Sequence, residues 1–429
     1  RLPSTSKYVT DRRLVRFYPS GASDFSPNGV RTARVLLSGD GGWVDPSSLR
    51  VSFKIQNTGA NALYLAAGPH GLIERVRIFV AGTLVEDLGP HYGRMHEMFM
   101  NRLAPSNYNE NQGILNGYMT VGGGVAGMSS SPIAPGYTAT VMMPIACGFL
   151  KTHKYLPVRF APVQIEITFG DPEAAVVLHP DQHPEIGAAP VNGSRDYVLR
   201  QLTVHCAQAR LDSALESNFA QVLLSNRALT VPVKTVATQV QTIPDNSPSF
   251  QISLVRALSR MNAVFVSFTW QEGAADAAAN EANVHYHPTA VFGNPSAVVD
   301  GAGAAGNAFQ ELSLEMQVAI GSKLTPETPC SSVGEFFENL TQAIDTYDQS
   351  LRTVSITPRE YQNNSFIAGF NMCRVPGHFA SGVNTRTGDL LVCKAKNLRG
   401  NNMRNIRVYI NVFYEGILEV RESGCSFYD

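Results

Sequence analysis

Residues 49–56, Leu49-Arg-Val-Ser-Phe-Lys-Ile-Gln56, alternate strictly between apolar and polar side chains. Successive side chains of a β-strand point to opposite faces, so this period of two predicts a strand with one face on a core. Similar alternation begins at Val76, Val163, Leu312 and Ile406. Such strands, separated by turns rich in Gly, Pro and Asn, predict antiparallel β-sandwiches rather than a parallel α/β sheet.

Three short helices are predicted among the strands. One covers Asp212 to Ser225, with a capping box of Ser213 and Glu216. A second begins near a further capping box, Ser332 to Glu335, and a third covers Tyr92 to Leu103. The apolar stripes of the first two helices comprise Leu211, Leu215, Phe219, Val222 and Leu223, and then Phe336, Leu340, Ile344 and Tyr347.

An internal repeat of domain length divides the chain into two similar halves. In the first half, Val80-Ala-Gly-Thr-Leu84 precedes Glu97-Met-Phe-Met-Asn101. In the second, Ile320-Gly-Ser-Lys-Leu324 precedes Glu335-Phe-Phe-Glu-Asn339. Both copies predict a strand, a turn, a short link and a helix. Repeats of this length indicate a duplicated structural unit.

A second matching pair shows where the halves differ. Val51-Ser-Phe-Lys-Ile-Gln56 matches Val266-Ser-Phe-Thr-Trp-Gln271 at an offset of 215 residues, whereas Glu97 and Glu335 are offset by 238. The second half therefore carries 238 − 215 = 23 additional residues between these points. They fall in 272–307, a stretch rich in Ala, Gly and Asn that predicts a long surface loop.

These patterns together predict an all-β protein of two consecutive antiparallel β-sandwiches with a few short helices. The first sandwich, with an N-terminal arm, is expected to cover residues 1–211. A linking helix follows at 212–227, and the second sandwich, with the long loop 272–307, covers 228–429. A chain of 429 residues is long enough for two cores of ordinary size.

The composition favours a protein with extensive contacts to other chains. Charged residues make up 16% of the sequence, against about 25% in typical soluble proteins. The net charge of −1 argues against a protein whose main task is to grip nucleic acid. A local excess of positive charge at the N-terminus indicates either a solvated arm or an arm lying against an anionic surface. Its basic residues are Arg1, Lys7, Arg12, Arg13 and Arg16, which face only Asp11.

The cysteine pattern argues against a cysteine-based metal site, and the hydropathy argues against a membrane-spanning helix. Six cysteines form no CxxC pair, which predicts buried free thiols and a reducing compartment. They stand at positions 147, 206, 330, 373, 393 and 425. The most apolar stretch, Val141 to Leu150, contains Pro144 and is much shorter than the ~20 residues that a membrane-spanning helix needs.

No catalytic or metal-binding constellation is evident. The sequence lacks a P-loop, a GxSxG elbow and an HExxH motif; His96-Glu97 is followed by Met100 where the motif needs histidine. His285 and His287 would lie on the same side of a strand and could chelate a metal, but no third ligand is evident nearby, so these two histidines and the pair His179 and His183 are predicted to be ordinary surface residues. The glycine-rich stretch Gly122 to Gly127 predicts a flexible loop, and the sequons at Asn192, Asn339 and Asn363 are too degenerate to indicate secretion. We therefore predict no catalytic, no cofactor-binding and no metal-binding residues.

Four segments resemble the double jelly-roll major capsid proteins of nucleocytoplasmic large DNA viruses, virophages and Polinton-like viruses. Leu156-Pro-Val-Arg-Phe-Ala-Pro-Val-Gln-Ile-Glu-Ile-Thr-Phe169 is similar to a strand near the end of the family's first roll. Leu202 to Glu216 resembles the strand-then-helix junction between the rolls. Arg16-Phe-Tyr-Pro-Ser20, together with Phe25-Ser-Pro27, is most similar to the N-terminus of the Polinton-like and virophage branch. Ser381 to Asp389 is similar to an element of the second roll, although Thr385 stands where the family has serine.

The resemblance implies that each half is an eight-stranded jelly roll. It also implies a structural, non-enzymatic protein whose homotrimers form pseudo-hexagonal capsomers that tile an icosahedral double-stranded DNA virus shell. The expected location is the virion capsid, assembled inside the host cell. Expected partners are neighbouring capsomers, minor capsid and penton proteins, and a host receptor through outer loops, of which 272–307 is the largest candidate. No sequence-specific nucleic-acid binding and no cofactor are expected.

Three alternatives remain open from the sequence. An enzyme on paired jelly rolls, such as a glycan-processing enzyme, would need paired carboxylates in a cleft. A carbohydrate-binding protein would need exposed aromatic side chains on one sheet, and the chain has only two tryptophans, Trp43 and Trp270. A minor capsid or spike protein would share the fold and differ in copy number.

Overall fold

Two β-sandwiches, each of two antiparallel sheets, form the protein in the computed structural model. The structure describes residues 8–38, 42–63, 65, 68–104, 115, 133–151, 154–170, 193–272, 292–296, 311–347, 354, 356–363, 365–375, 381–386, 389–398 and 403–429.

The first sandwich uses strands from residues 9–211. They are β1 (Val9–Phe17), β2 (Asp24–Phe25), β3 (Thr32–Leu37), β4 (Trp43–Asn57), β5 (Ile73–Val80), β6 (Thr83–Leu88), β7 (Thr138–Pro144), β8 (Val163–Phe169) and β9 (Tyr197–Leu211). One sheet has the order β1-β9-β4-β7, with β2 paired to β9, and the facing sheet has the order β3-β8-β5-β6.

The second sandwich uses strands from residues 229–428. They are β10 (Leu229–Ile243), β11 (Ser249–Ser253), β12 (Met261–Glu272), β13 (Glu311–Ile320), β14 (Lys323–Ser332), β15 (Ala368–Asn371), β16 (Leu391–Lys396), β17 (Met403–Arg421) and β18 (Gly424–Tyr428). The sheets have the orders β10-β17-β12-β15, with β18 paired to β17, and β11-β16-β13-β14.

Both sandwiches have the same topology once the two-residue β2 and the terminal β18 are set aside. In each, the first, eighth, third and sixth strands form one sheet, and the second, seventh, fourth and fifth form the other. This is the jelly-roll arrangement of eight antiparallel strands. The predicted fold class, two consecutive jelly rolls, is confirmed.

The period-two pattern places one face of each strand in a core. In β4, Val51, Phe53 and Ile55 are buried, while Ser52 and Lys54 between them are half-exposed. The Phe53 ring packs edge-on against Phe169 of the facing sheet at 6.2 Å. In the second roll, Phe268 of β12 contacts Phe250 of β11 at 6.0 Å. Aromatic side chains from both sheets therefore fill each sandwich.

Four α-helices connect the strands in the part of the chain that the structure describes. They are α1 (Tyr92–His96), which continues as a π-helical turn over Glu97–Arg102, α2 (Ser213–Leu224), α3 (Val333–Tyr347) and α4 (Pro358–Asn363). The capping box of α3 is confirmed: the Glu335 N–H donates to Ser332 Oγ at 3.2 Å, and the Ser332 N–H donates to Glu335 Oε2 at 3.2 Å. The predicted stripe of α3 is also buried at Phe336, Leu340 and Ile344.

The predicted capping box of α2 is wrong. Its N-cap is Asp212, one residue earlier, and the Asp212 side chain makes no capping hydrogen bond. Glu216 is therefore placed one position too late to reach back to the N-cap N–H. The predicted apolar stripe of α2 does face the protein: Leu215, Phe219 and Val222 are half-buried, Leu223 is buried, and the Phe219 ring packs against Trp43 at 4.9 Å.

The repeat found in the sequence corresponds to a hairpin followed by a helix. β5 and β6 are joined by a turn at Ala81 and Gly82, and β13 and β14 by a turn at Gly321 and Ser322. Ala81, Gly82 and Gly321 all have positive φ, the left-handed conformation that a tight hairpin turn requires. The helices α1 and α3 follow β6 and β14, respectively.

The expectation of a surface loop over 272–307 is wrong for residues 292–296. Phe292 is fully buried and forms a bridge with Ser365, and Ser296 is buried and forms a bridge with Leu398. Phe292 packs on an arginine of the first roll, which explains why an apolar residue here is covered. The rest of this predicted loop beyond Glu272 lies outside the described residues.

The expectation of a basic N-terminal arm is wrong for Arg12, Arg13 and Arg16. These residues belong to β1, which pairs with β9 from Val9 to Phe17. Backbone pairing with β9 places the segment within the sheet. The three arginine side chains are exposed, and Arg12 Nη2 donates to Asp45 Oδ2 at 2.6 Å. Arg1 and Lys7 lie outside the described residues.

Candidate assembly interface

The two rolls meet where the α1 segment lies on a sheet of the second roll. Phe99, in the π-helical turn, packs edge-on against Phe265 of β12 at 5.1 Å and against Phe413 of β17 at 4.7 Å. Phe265 and Phe413 also contact each other at 5.6 Å. This aromatic cluster belongs to the outer face of the sheet β10-β17-β12-β15, because Phe268 on the other face of β12 packs into the sandwich.

Arg94 of α1 inserts its side chain into the second roll. Its guanidinium stacks on Phe292 at 4.1 Å and on Tyr409 at 4.3 Å. It donates hydrogen bonds to the Phe268 carbonyl oxygen at 3.1 Å and to Ser267 Oγ at 3.3 Å. Burial lowers the pKa of Arg94 to about 10, so the side chain remains cationic at neutral pH. Stacking of a desolvated guanidinium between two rings contributes cation–π stabilisation.

Glu97 is the centre of a buried polar cluster next to Arg94. Its carboxylate accepts hydrogen bonds from Asn101 Nδ2 at 2.5 Å and from Arg102 Nε at 2.9 Å, and it lies 3.0 Å from His70 Nε2. Arg102 also donates to Ser365 Oγ of the second roll at 3.0 Å. Burial alone would raise the pKa of Glu97, but the hydrogen bond from His70 and the charge of Arg102 lower it.

Glu86 of β6 forms a second buried contact between the rolls. Its carboxylate accepts the N–H groups of Gly148 at 3.0 Å and Phe149 at 3.1 Å, and the hydroxyl of Thr235 in β10 at 2.8 Å. Burial raises the pKa of Glu86 despite these hydrogen bonds. At Gly148, a Cβ would lie 1.4 Å from the Lys234 carbonyl oxygen. The two rolls therefore approach each other backbone to backbone.

These contacts fix the orientation of the two rolls. They combine apolar packing with buried charged groups that are hydrogen-bonded to residues of both rolls. Removing one partner of such a buried pair leaves an unpaired charge and lowers the free energy of unfolding. The arrangement is a rigid junction between two structural units.

The other sequence-predicted candidates fall into three groups. His96 and Glu97 are buried at the junction, where the His96 ring stacks on His70 at 4.5 Å. Asn339 lies in α3 and donates to the Glu335 carbonyl oxygen, and Asn363 is the last residue of α4. The candidates outside the described residues are His179, His183, His285, His287, Gly122 to Gly127 and Asn192. In the described part of the chain, no three His, Cys, Asp or Glu side chains are grouped to hold a metal ion.

The six cysteines are free thiols. Cys147, Cys206, Cys330 and Cys393 are buried, and Cys373 and Cys425 are half-buried. Burial raises the pKa of both Cys206 and Cys393 to about 12, which keeps them as unreactive thiols. Among the described helices, none combines the length and apolar character needed to cross a membrane.

Sequence reasoning missed Arg94 and Glu86 as junction residues. In the sequence, Glu86 carries only a weak signal of burial: it lies next to Val85 and two residues before Leu88, and both of these apolar residues of β6 are buried. Arg94 carries no signal in the sequence, since a single arginine in a short helix is usually exposed. Their roles depend on the second roll, which is distant in the chain.

Comparison with solved structures identifies the architecture. A chain of the PBCV-1 virus capsid matches with a TM-score of 0.63 at 11% identity, over 98% of this chain and 97% of that one. A chain of the Sputnik virophage matches with a TM-score of 0.58 at 10% identity, over 100% and 90%. The Faustovirus major capsid protein matches with a TM-score of 0.58 at 9% identity, over 96% and 90%. No protein-family model and no curated protein matches the sequence.

The molecule is a double jelly-roll protein. It has the fold of the viral capsid chains named above over nearly its whole length and theirs, so the resemblance seen in the sequence is confirmed for the fold.

Proposed function

We propose that this protein is the major capsid protein of a double-stranded DNA virus and that its homotrimers form pseudo-hexagonal capsomers of an icosahedral shell. The observation that carries the proposal is the rigid pairing of two rolls of the same topology within one chain. Three copies of such a chain supply six similar units, which is what a six-cornered building block with threefold symmetry requires.

The described geometry supports a structural role rather than catalysis. The charged groups brought together at the junction, Arg94, Glu97 and Arg102, are buried and hydrogen-bonded to one another or to the second roll. They bind the two halves of the chain together. In this proposal residues 1–211 and 228–429 are the two units, 212–227 links them, and the protein resides in the virion with neighbouring capsomers, minor capsid proteins and penton proteins as partners.

The proposal is tested with the purified full chain at neutral pH. Light scattering coupled to size-exclusion chromatography should give three times the mass of the 46.5 kDa chain, and negative-stain images should show threefold particles with a hexagonal outline. A monomer throughout the micromolar range, or a dimer, would contradict the proposal.

A further inference from the structure

The contact between the two rolls is head to tail. The first roll contributes α1 and β6, which we call its helix side. The second roll contributes the outer face of β12 and β17 together with β10 and β18, which we call its sheet side. Besides the contacts above, Thr83 of β6 donates its hydroxyl to the Cys425 carbonyl oxygen in β18 at 2.9 Å. Because the rolls have the same topology, each chain also has a second sheet side, on the first roll, and a second helix side, on the second roll.

The sheet side of the first roll is uncovered around Ser52 and Lys54 in the single chain, whereas its end at Trp43 is covered by Phe219 of α2. At the repeat offset of 215, Ser52 and Lys54 of β4 correspond to Ser267 and Thr269 of β12. Ser267 is fully buried under Arg94 and Thr269 is 4% exposed, whereas Ser52 and Lys54 are half-exposed. β1, which corresponds to β10, is exposed over most of its length, and its Leu14 is 67% exposed.

The helix side of the second roll is also uncovered. At the offset of 238, Glu335 corresponds to Glu97 and Glu338 to Met100. Glu97 is fully buried beneath the second roll, but Glu335 and Glu338 are exposed. β14 is exposed over Glu327 to Pro329, whereas its counterpart β6 buries Val85, Glu86 and Leu88.

The two uncovered surfaces carry opposite charge. On the sheet side of the first roll, register places Arg16 and Arg50 on either side of His205, across β1, β9 and β4, and Lys54 opposite Arg200 in a second row. Burial and the charge of Arg16 lower the pKa of His205, so its imidazole is neutral at pH 7 and the positive charge comes from the arginines and Lys54. Asp24 is the acidic neighbour of the second row, with its Oδ2 3.7 Å from Arg200 Nε. On the helix side of the second roll, the described residues of β14 and α3 include the exposed carboxylates Glu327, Glu335 and Glu338 and a single cation, Lys323. Charge of opposite sign favours association between such surfaces and disfavours like-with-like contacts.

We propose that the helix side of the second roll, centred on Glu338 of α3, docks on the sheet side of the first roll, centred on Lys54 of β4, in a second copy of this chain. The contact repeats the geometry of the internal junction with charged groups in place of aromatic ones. Such a head-to-tail contact propagates around an axis and closes into a ring when the rotation permits. The inference rests on the proposed function, for which it supplies the intersubunit surface.

Charged side chains suit the surfaces between copies better than the aromatic side chains of the internal junction. The internal junction is formed once during folding and can use buried aromatic residues such as Phe99 and Phe265. The surfaces between copies face water before assembly, where exposed aromatic patches would promote aggregation. Arginine, lysine and glutamate keep the free chain soluble and make association dependent on ionic strength.

The experiment compares the full chain with the variants Lys54→Glu, Glu338→Lys and the double variant carrying both. Light scattering across a dilution series gives the concentration at which half of the chains are trimeric. Each single reversal places like charges together and should raise this concentration by ~10-fold or more, and the double variant should recover most of the loss. Lys394→Glu makes an equal change of charge on β16, which β13 separates from β14, and its neighbours in register, Gln251 and Gln317, are uncharged. It is the matched control and should leave the concentration unchanged.

A second measurement uses the wild-type residues. Zero-length carbodiimide coupling joins an amine and a carboxylate in direct contact, and mass spectrometry should find the Lys54 peptide joined to the Glu338 or Glu335 peptide between copies in the trimer. A trimer that both single reversals leave intact, or one without this cross-link, overturns the docking surface while the proposed function stands. A wild-type chain that stays monomeric overturns the proposed function and the docking surface with it.

Discussion

Glu97 shows at the scale of one residue how the junction uses buried charge. The carboxylate is fully buried, yet its pKa is lowered because His70, Arg102 and Asn101 all stabilise the ionised form. A carboxylate whose pKa is lower in the folded state than in the unfolded state stabilises the fold above its usual pKa of 4.5. That contribution is lost as the pH falls from this value through the folded pKa.

The first prediction concerns Glu97→Gln. At pH 7 we expect the free energy of unfolding to fall by about 3 kcal/mol, because Arg102 and His70 lose their charged partner. We also expect a flatter acid limb, since the wild type loses stability below about pH 4.5 and the variant lacks the titrating group. Urea denaturation at a series of pH values from 3 to 7 measures both effects.

Glu86→Gln is the control for this prediction. Burial raises the pKa of Glu86, so its contribution to stability is present below its usual pKa and is lost as the pH rises through the folded pKa. This variant should keep the acid limb of the wild type. An unchanged acid limb in Glu97→Gln would show that other groups cause the acid sensitivity.

At the scale of elements, α2 and α3 differ although their sequences predict similar N-termini. Ser332 and Glu335 form a reciprocal capping box, and the backbone N–H bonds from Ser331 and Ser332 lower the pKa of Glu335. In α2, the corresponding pair is displaced by one residue because Asp212, whose N–H donates to the Tyr8 carbonyl oxygen, holds the N-cap position.

The second prediction compares Ser332→Ala with Ser213→Ala. Ser332→Ala should lower the free energy of unfolding by about 1 kcal/mol, because the first turn of α3 loses its side-chain acceptor. Ser213→Ala should change it by less than about 0.5 kcal/mol, since Ser213 is already inside the helix. Chemical denaturation of both variants provides the comparison, and equal losses would argue against the difference in capping.

At the scale of the whole molecule, the protein depends on how closely its two rolls approach. Gly148 precedes the 3₁₀ turn Phe149–Lys151, donates its N–H to Glu86 and lies against the β10 backbone at Lys234. A side chain at this position has no room, so the absence of a Cβ sets the separation of the rolls.

The third prediction is that Gly148→Ala loosens the junction. The added methyl group requires movement of the Lys234 backbone, and we expect the free energy of unfolding to fall by ~2 kcal/mol or more. Gly334→Ala is the matched control, because a Cβ there meets no atom within 4 Å and alanine favours the helix. Differential scanning calorimetry should show a lower midpoint for Gly148→Ala alone; equal midpoints would exclude a tight junction at Gly148.

The sequence alone determined the strands, the duplication and the fold class. Alternation such as that of Leu49 to Gln56 is a local property of the chain, and it predicts a buried face wherever the strand pairs. The matching segments ending in Asn101 and Asn339 likewise identified two copies of one hairpin and helix.

Only the tertiary structure decided how the two copies meet. Arg94, Glu86 and Phe292 look ordinary in the sequence, because their partners lie at least 62 residues away along the chain. For the same reason, the buried segment 292–296 could not be told from a surface loop. The helical segment that follows β6 is buried, and the helix that follows β14 is exposed at its glutamates, because the two rolls dock through residues that are distant in the chain. No local sequence pattern encodes such contacts.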